Sequence, residues 1–189
     1  MLSNKRNRKV SRQIIMTGKN EKWFPQIVHP FEPVYRSDSE ILILGTFPSV
    51  KSREQNFYYG HPRNRFWQVL AQIFGETVPE TIPEKKALLY RHRIALWDVI
   101  ARCDISGSDD SSIKNVTPTD LSSLIRASRI MVIYANGQKA GELYNRFQKN
   151  NIPLPITVLP STSPANASWN LERLIDRWQK IKVSCKGIF

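Results

Sequence analysis

The chain has 189 residues, 41% of them hydrophobic, which suits one globular domain with a sheet covered by helices on both faces. Lysine and arginine total 28 against 16 aspartate and glutamate, and the formal charge of +12 points to a polyanionic partner, nucleic acid ahead of an acidic membrane surface. No apolar run approaches the ~20 residues that span a bilayer and no signal-peptide core follows the basic start, so a soluble, cytoplasmic monomer is expected, without contact to a membrane.

Residues 1–22 read as a basic arm. Lys5, Arg6, Arg8, Lys9, Arg12 and Lys19 fall in the first twenty positions, where there is no acid. Phosphate tracking and a merely solvated tail or cloning remnant both fit that pattern, and an organellar presequence fits it less well. Residues 23–189 form the single α/β domain.

Ile41 to Leu44 is continuously apolar and ends in Gly45, the pattern of a buried strand. A long loop follows, and Phe66, Val69, Leu70, Ile73 and Phe74 then recur at helical spacing, with Gly75 as the stop. Glu84 to His92 reads as helical and Ile94 to Ile100 as one extended run. Thr117 to Ala127 reads as a helix, with Thr117 as its cap, Pro118 in the first turn and Asp120 near the positive end of the helix dipole. Arg129 to Tyr134 is a second buried strand, with Asn136, Gly137 and a helix to about Lys149 behind it. Ile156 to Leu159 is the next strand, PSTSPANAS turns the chain, and Ser168 to Lys182 makes the last helix.

Strand, loop and helix in repetition predict a three-layer sandwich around a mainly parallel sheet with right-handed crossovers. Ligands in such folds sit at the carboxyl ends of the strands, which singles out the loops after Leu44, Ile100, Tyr134 and Leu159. Neither GxGxxG nor GxxxxGK[ST] occurs, so no cofactor cradle is expected. Cys103 and Cys185 stand apart, as reduced thiols rather than a disulfide, and His29, His61 and His92 are too scattered for a metal cage.

The loop from Gly45 to Trp67, GTFPSVKSREQNFYYGHPRNRFW, combines rings (Phe57, Tyr58, Tyr59), amides and hydroxyls (Ser49, Ser52, Asn56, Asn64) and cations (Lys51, Arg53, Arg63, Arg65). Rings stack on bases, amides read hydrogen-bonding edges and cations hold phosphates, so the inventory suits a pocket for a base still attached to its backbone. On residue type alone, Asn64 is as good a helix N-cap as a catalytic amide, Tyr58 suits core packing, and Ser161, Thr162 and Ser163 suit an ordinary turn.

This loop, together with LPSTSPANA at 159–167, resembles the uracil-DNA glycosylase superfamily, most closely its hypoxanthine-DNA (deoxyinosine) glycosylase branch. The likeness runs from about Pro30 to Trp178 and takes in HPFEPVY, LWDVI at 96–100, GSDDSSI at 107–113 and ANGQKA at 135–140. It implies an enzyme that flips a deaminated nucleotide out of double-stranded DNA and hydrolyses its N-glycosidic bond without metal or cofactor. In the mismatch-specific uracil-DNA glycosylases the first motif is G-x-N-P, and its asparagine positions the attacking water. Gly45, Thr46, Phe47 and Pro48 fill that pattern here, with Phe47 in the asparagine's place. The NRFW ending, Asn64 to Trp67, is shared at the same spacing, and the resemblance makes Asn64 the first catalytic candidate.

Asn64 can act through its oxygen on the water or through its NH₂ on the departing base, and both alternatives are open at this level. Asp98 is the second catalytic candidate, as a water activator. By the same resemblance Tyr59 stacks on the flipped base; Ser49, Tyr58, Gly60, His61 and Asn136 are the further base-site candidates, with His61 equally a surface histidine ahead of Pro62 and Asn136 equally a cap for the next helix. His61 can bind phosphate or base or act as a general acid. Ser52, Arg63, Ser161, Thr162, Ser163, Pro164 and Asn166 are the DNA-contact candidates, with Pro164 and Asn166 left for the wedge. Two functions follow: a monofunctional glycosylase for deaminated bases, hypoxanthine before uracil, or a catalytically inactive nucleic-acid-binding protein on the same scaffold, for which Phe47 argues.

Overall fold

The computed structural model describes residues 26–186, so the expected arm at 1–22 and the domain start at Trp23 lie outside the described residues. In chain order the strands are β1 (Ile27–Val28), β2 (Ile41–Gly45), β3 (Ile94–Asp98), β4 (Ile100–Asp104), β5 (Lys114–Pro118), β6 (Val132–Asn136) and β7 (Ile156–Leu159). The helices are α1 (Val50–Gln55), α2 (Phe66–Phe74), α3 (Ile82–Arg91), α4 (Leu121–Arg126), α5 (Gln138–Phe147) and α6 (Leu171–Lys186).

A four-stranded sheet in the order β3-β2-β6-β7 is parallel throughout, with Ile41 opposite Ile94 and Val132, and Ile133 opposite Ile156. β2 is central and fully buried because every residue of ILIL is apolar and both faces need cover. Alternation along the strand sends Ile41 and Ile43 to one core with Phe66, Leu70, Leu88 and Trp178, while Leu42 and Leu44 join Ala95, Leu121, Leu143 and Tyr144 on the other. Helices α2, α3 and α6 cover the first face and α4 and α5 the second, which is the expected three-layer α/β sandwich.

A second, antiparallel sheet, β1-β4-β5, was not expected from the sequence. Ile94 to Ile100 is not one strand. β3 ends at Asp98 where its neighbour ends at Gly45, and the amides of Val99 and Ile100 turn to the carbonyls of Gly45 and Thr46 at 3.0 and 3.2 Å. The chain then leaves as β4, and the kink is invisible in LWDVI because Val99 and Ile100 are both buried.

Thr117 and Pro118 likewise belong to β5, paired with Arg102 and Ile100, and not to a helix. A proline at the end of a strand withdraws no needed donor. The helix starts after Asp120, whose carboxylate caps it by accepting from the Ser123 amide at 3.2 Å. The loop after β2 also contains α1, capped by Ser49 and closed by Asn56 in the left-handed region at φ 53°. The other boundaries shift by a few residues, and Gly75 ends α2 at φ 71° as its position implied. Among the described residues no helix is long and apolar enough to cross a membrane.

Candidate active site

The loops after β2, β6 and β7 reach one end of the parallel sheet, whereas Ile100 opens β4 and no loop follows it there; a cavity of about 860 Å³ lies between those three loops, the end of β3 and the β4–β5 connection. Gly45, Thr46, Phe47, Pro48, Ser49 and Ser52 line it from the first loop, followed by Tyr58, Tyr59, His61 and Asn64. Asp98 enters from the end of β3 and Asn136 from the end of β6, and Ser161, Ser163, Pro164 and Asn166 close it from the loop after β7. Gly60, Arg63 and Thr162 are not in its wall. Ile105, Ser108, Asp109 and Asp110, from the β4–β5 connection, are wall residues that residue-by-residue reading gave no role.

Gly45 is required where it is because a Cβ there would lie 2.1 Å from Asp98 Oδ1. Asp98 is 4% exposed, and its Oδ2 accepts from His29 Nε2–H at 3.0 Å. His29 is held edge-on to Phe31 at 4.6 Å and to Phe47 at 5.9 Å between ring centroids. The sequence offered only a lone histidine ahead of Pro30; its partner is 69 residues away, and no local pattern encodes that pairing.

A buried relay fixes the amide of Asn64. The backbone N–H of Thr162 can only donate, and it donates to Asn136 Oδ1 at 2.9 Å, which orients the Asn136 amide. Asn136 Nδ2 then donates to Thr162 Oγ1 at 2.9 Å, so that hydroxyl gives its own proton to Asn64 Oδ1, also at 2.9 Å. The Phe66 amide donates to the same Oδ1 at 3.0 Å. Both lone pairs of the Asn64 oxygen are thereby occupied, and its Nδ2 makes no hydrogen bond to a described residue. The N-cap of α2 is Arg65 and Asn64 stands one residue ahead of it, so the expected capping role falls to its neighbour: Asn64 takes the first amide of the helix with its oxygen and keeps its NH₂ for a ligand.

Tyr59 packs one ring face on Phe66, with centroids 3.7 Å apart at 19°, and holds φ at 53°, an uncommon angle for a bulky residue. Its hydroxyl is buried near Asp98 and lacks a partner of ordinary hydrogen-bond geometry. Burial, and after it the Asp98 charge, push the phenol well above its usual pKa and keep it neutral. Tyr58 is 2% exposed, and its hydroxyl donates to the Glu32 carbonyl at 3.2 Å. His61 is half-buried, and its Nδ1 accepts from the Arg63 amide at 3.1 Å, leaving Nε2–H as the outward donor.

Several expected DNA contacts are structural instead. Thr162 is 0% exposed and committed to the relay, so no phosphate reaches it. Ser52 is 3% exposed and holds the loop by accepting from the Gly60 amide at 3.0 Å, while a Cβ on Gly60 would meet Gln55 Oε1 at 2.6 Å. Arg65 is no phosphate ligand: its guanidinium donates to the carbonyls of Thr162, Ser163, Asn166 and Trp169, clamping the second loop to the first. Arg53 is similarly engaged by the carbonyls of Pro48 and Gly107. Arg63 is exposed at the rim, and the Ser161 and Ser163 hydroxyls accept from backbone amides of their own loop. Among the described residues no cluster of His, Cys, Asp and Glu is placed to hold a metal ion.

Residues 32–182 match the family model described as the uracil DNA glycosylase superfamily. A hypoxanthine DNA glycosylase from Methanosarcina acetivorans is 37% identical over 145 residues, which cover 76% of this chain and 90% of that protein. One of the same name from Methanosarcina barkeri is 37% identical over 114 residues, 59% of this chain and 72% of its own length. A solution NMR structure of a candidate uracil DNA glycosylase from Methanosarcina acetivorans superimposes with a TM-score of 0.69 at 31% identity, over 82% of this chain and 99% of that one.

Proposed function

The chain belongs to the uracil-DNA glycosylase superfamily and is a DNA glycosylase, a hydrolase of N-glycosyl bonds; we propose that it releases hypoxanthine from deoxyinosine in duplex DNA, with uracil the poorer substrate, and forms no covalent bond to the DNA. The relay that saturates Asn64 Oδ1 and leaves Nδ2 at the cavity carries this reading, because it makes Asn64 a donor. Glycosidic cleavage leaves a cation on the sugar and negative charge on the base, and a preorganised N–H on that base lowers the barrier without reorganisation at the moment of reaction.

The flipped base enters the cavity and lies on the free face of Tyr59, whose other face is backed by Phe66. Asn64 Nδ2 donates to the base. Asp98, with one oxygen held by His29, takes a hydrogen bond from the attacking water through the other. The Phe47 ring fills the place where related enzymes carry a water-binding amide, so that duty passes to Asp98. Outside the cavity, Arg63 and the hydroxyl protons of Ser161 and Ser163 meet the phosphates, and residues 1–22 would extend that contact.

Duplexes with a single deoxyinosine or deoxyuridine, incubated with the protein and treated with hot alkali, test the proposal. Strand scission should be strong at deoxyinosine and weak or absent at deoxyuridine, and borohydride should trap no adduct. Scission at deoxyuridine alone would reverse the ranking, and scission at neither would favour a binding protein without catalysis.

A further inference from the structure

The β4–β5 connection brings two adjacent carboxylates to the cavity, and their surroundings push them apart in character. Asp109 accepts from the Ser111 amide at 2.9 Å and the Ser111 hydroxyl at 2.7 Å, which holds it below the usual carboxylate range. Asp110 lines the cavity and is half-buried. Burial raises its pKa, the negative charges of Asp98 and Asp109 raise it further, and the Thr46 side chain and the Lys139 ammonium oppose the shift. The segment is fastened to the first motif: the Val50 amide donates to Ser108 Oγ at 2.9 Å and Arg53 Nη2 to the Gly107 carbonyl at 3.3 Å. The segment that carries Asp110 is therefore tied to the loop that follows Gly45, and a bound DNA strand, itself an anion, would hold the proton of Asp110 more firmly still.

We propose that Asp110 is a further catalytic residue of the base excision proposed above, donating the proton of its carboxylic acid to N7 of the departing purine. As the C1′–N9 bond breaks, its electron pair remains with the base and the Asp110 proton passes to N7, so that hypoxanthine leaves as a neutral tautomer. The water oxygen bonds to C1′ and its proton passes to the Asp98 carboxylate. One water is consumed, Asp110 regains a proton from solvent and Asp98 returns one. N7 is the most basic ring nitrogen of a 6-oxopurine nucleoside, and a pyrimidine has no counterpart, so this acid serves purines alone and ranks hypoxanthine ahead of uracil. The other titratable groups in the cavity wall are Asp98, Asp109, His61, Tyr58 and Tyr59, and His61 is the rival proton donor.

Single-turnover release from a deoxyinosine duplex, measured with the full chain across roughly pH 5 to 9, tests the assignment. An acid must be protonated to act, so the wild-type rate should fall by about tenfold per pH unit above its apparent pKa. Asp110→Asn should be slower by about 100-fold on the acid side and should lack that fall, with Asp110→Ala behaving alike, whereas Asp109→Asn should keep the fall and move it to lower pH, because one of the charges that raises the Asp110 pKa is gone. All three should keep the wild-type melting temperature within a few degrees and the same affinity for an abasic-site duplex. With 7-deaza-2′-deoxyinosine, which lacks N7, wild type and Asp110→Asn should be equally slow. An alkaline fall that persists in Asp110→Asn would overturn the assignment and move the role to His61, and an equal Asp110→Asn deficit on the 7-deaza substrate would overturn N7 as the acceptor. A wild-type protein inactive on deoxyinosine at every pH would overturn the glycosylase reading, and this assignment with it.

Discussion

Thr162→Val removes a single hydroxyl and changes the side chain's volume little. In the folded protein that hydroxyl accepts from Asn136 Nδ2 and donates to Asn64 Oδ1, each at 2.9 Å, in a residue with 0% exposure. The valine variant leaves an amide N–H of Asn136 buried without a partner and one lone pair of Asn64 empty. An abandoned buried donor costs about 1–3 kcal/mol, which in a domain of this size lowers the melting temperature by roughly 2–12 °C. Catalysis should suffer separately. Asn64 keeps only the Phe66 amide and can swing its NH₂ away from the base, and a displacement near ~1 Å can reduce the rate by up to ~100-fold. Thr162→Ser retains the relay and should restore most of both losses. Thermal melting by circular dichroism and single-turnover excision from a deoxyinosine duplex read the two effects independently. A valine variant with wild-type melting and a wild-type rate would refute the relay.

Asn64→Asp separates the two ways an amide could act. The Phe66 amide and the Thr162 hydroxyl favour an ionised carboxylate there and lower its pKa, so the variant could donate only below a depressed pKa. Its activity should be lost as pH rises through that value and be close to that of an alanine variant at neutral pH; activity that climbs on ionisation would mean that residue 64 accepts from water. Tyr59→Ala should weaken capture of a flipped base by about 1–3 kcal/mol in binding to a duplex with a non-cleavable deoxyinosine analogue, and Tyr59→Phe by much less. Equal losses in the two would mean that the ring does not stack. Gly45→Ala drives a methyl to 2.1 Å from Asp98 Oδ1 and should lower excision at least ~10-fold by displacing that carboxylate; an unimpaired rate would remove Asp98 from the chemistry.

The parallel core was legible because ILIL at 41–44 is continuously apolar, as a strand covered on both faces must be, and the apolar stretches near 130 and 156 read as further strands whose following loops fall where strands of one sheet end together. The second sheet was not legible. Thr117, Pro118 and Asp120 carry sound local signals for a helix start, and only the pairing of Thr117 with Arg102, a contact between distant parts of the chain, overrides them. The same limit governs the site. The resemblance marked Asn64 and Tyr59, and position at the sheet edge marked Asp98 as the runner-up, but none of this showed that Asn64 has spent its oxygen, since that depends on Thr162 and Asn136 meeting across the sheet edge. Thr162 and Ser52 resembled phosphate contacts because hydroxyls serve buried networks and solvent equally well, and burial cannot be read from residue type. His29 and Asp110 carried no signal beyond their place in stretches similar to the family.

The most direct test of the central claim is single-turnover excision of hypoxanthine from a deoxyinosine duplex by wild type and by Asn64→Ala, each also titrated against an abasic-site duplex. Removal of an oriented donor to the departing base should depress the excision rate by at least ~100-fold and leave abasic-site affinity within a few-fold. Near wild-type excision by Asn64→Ala, with its fold intact by circular dichroism, would contradict the account and leave Asp98 as the residue on which the chemistry turns.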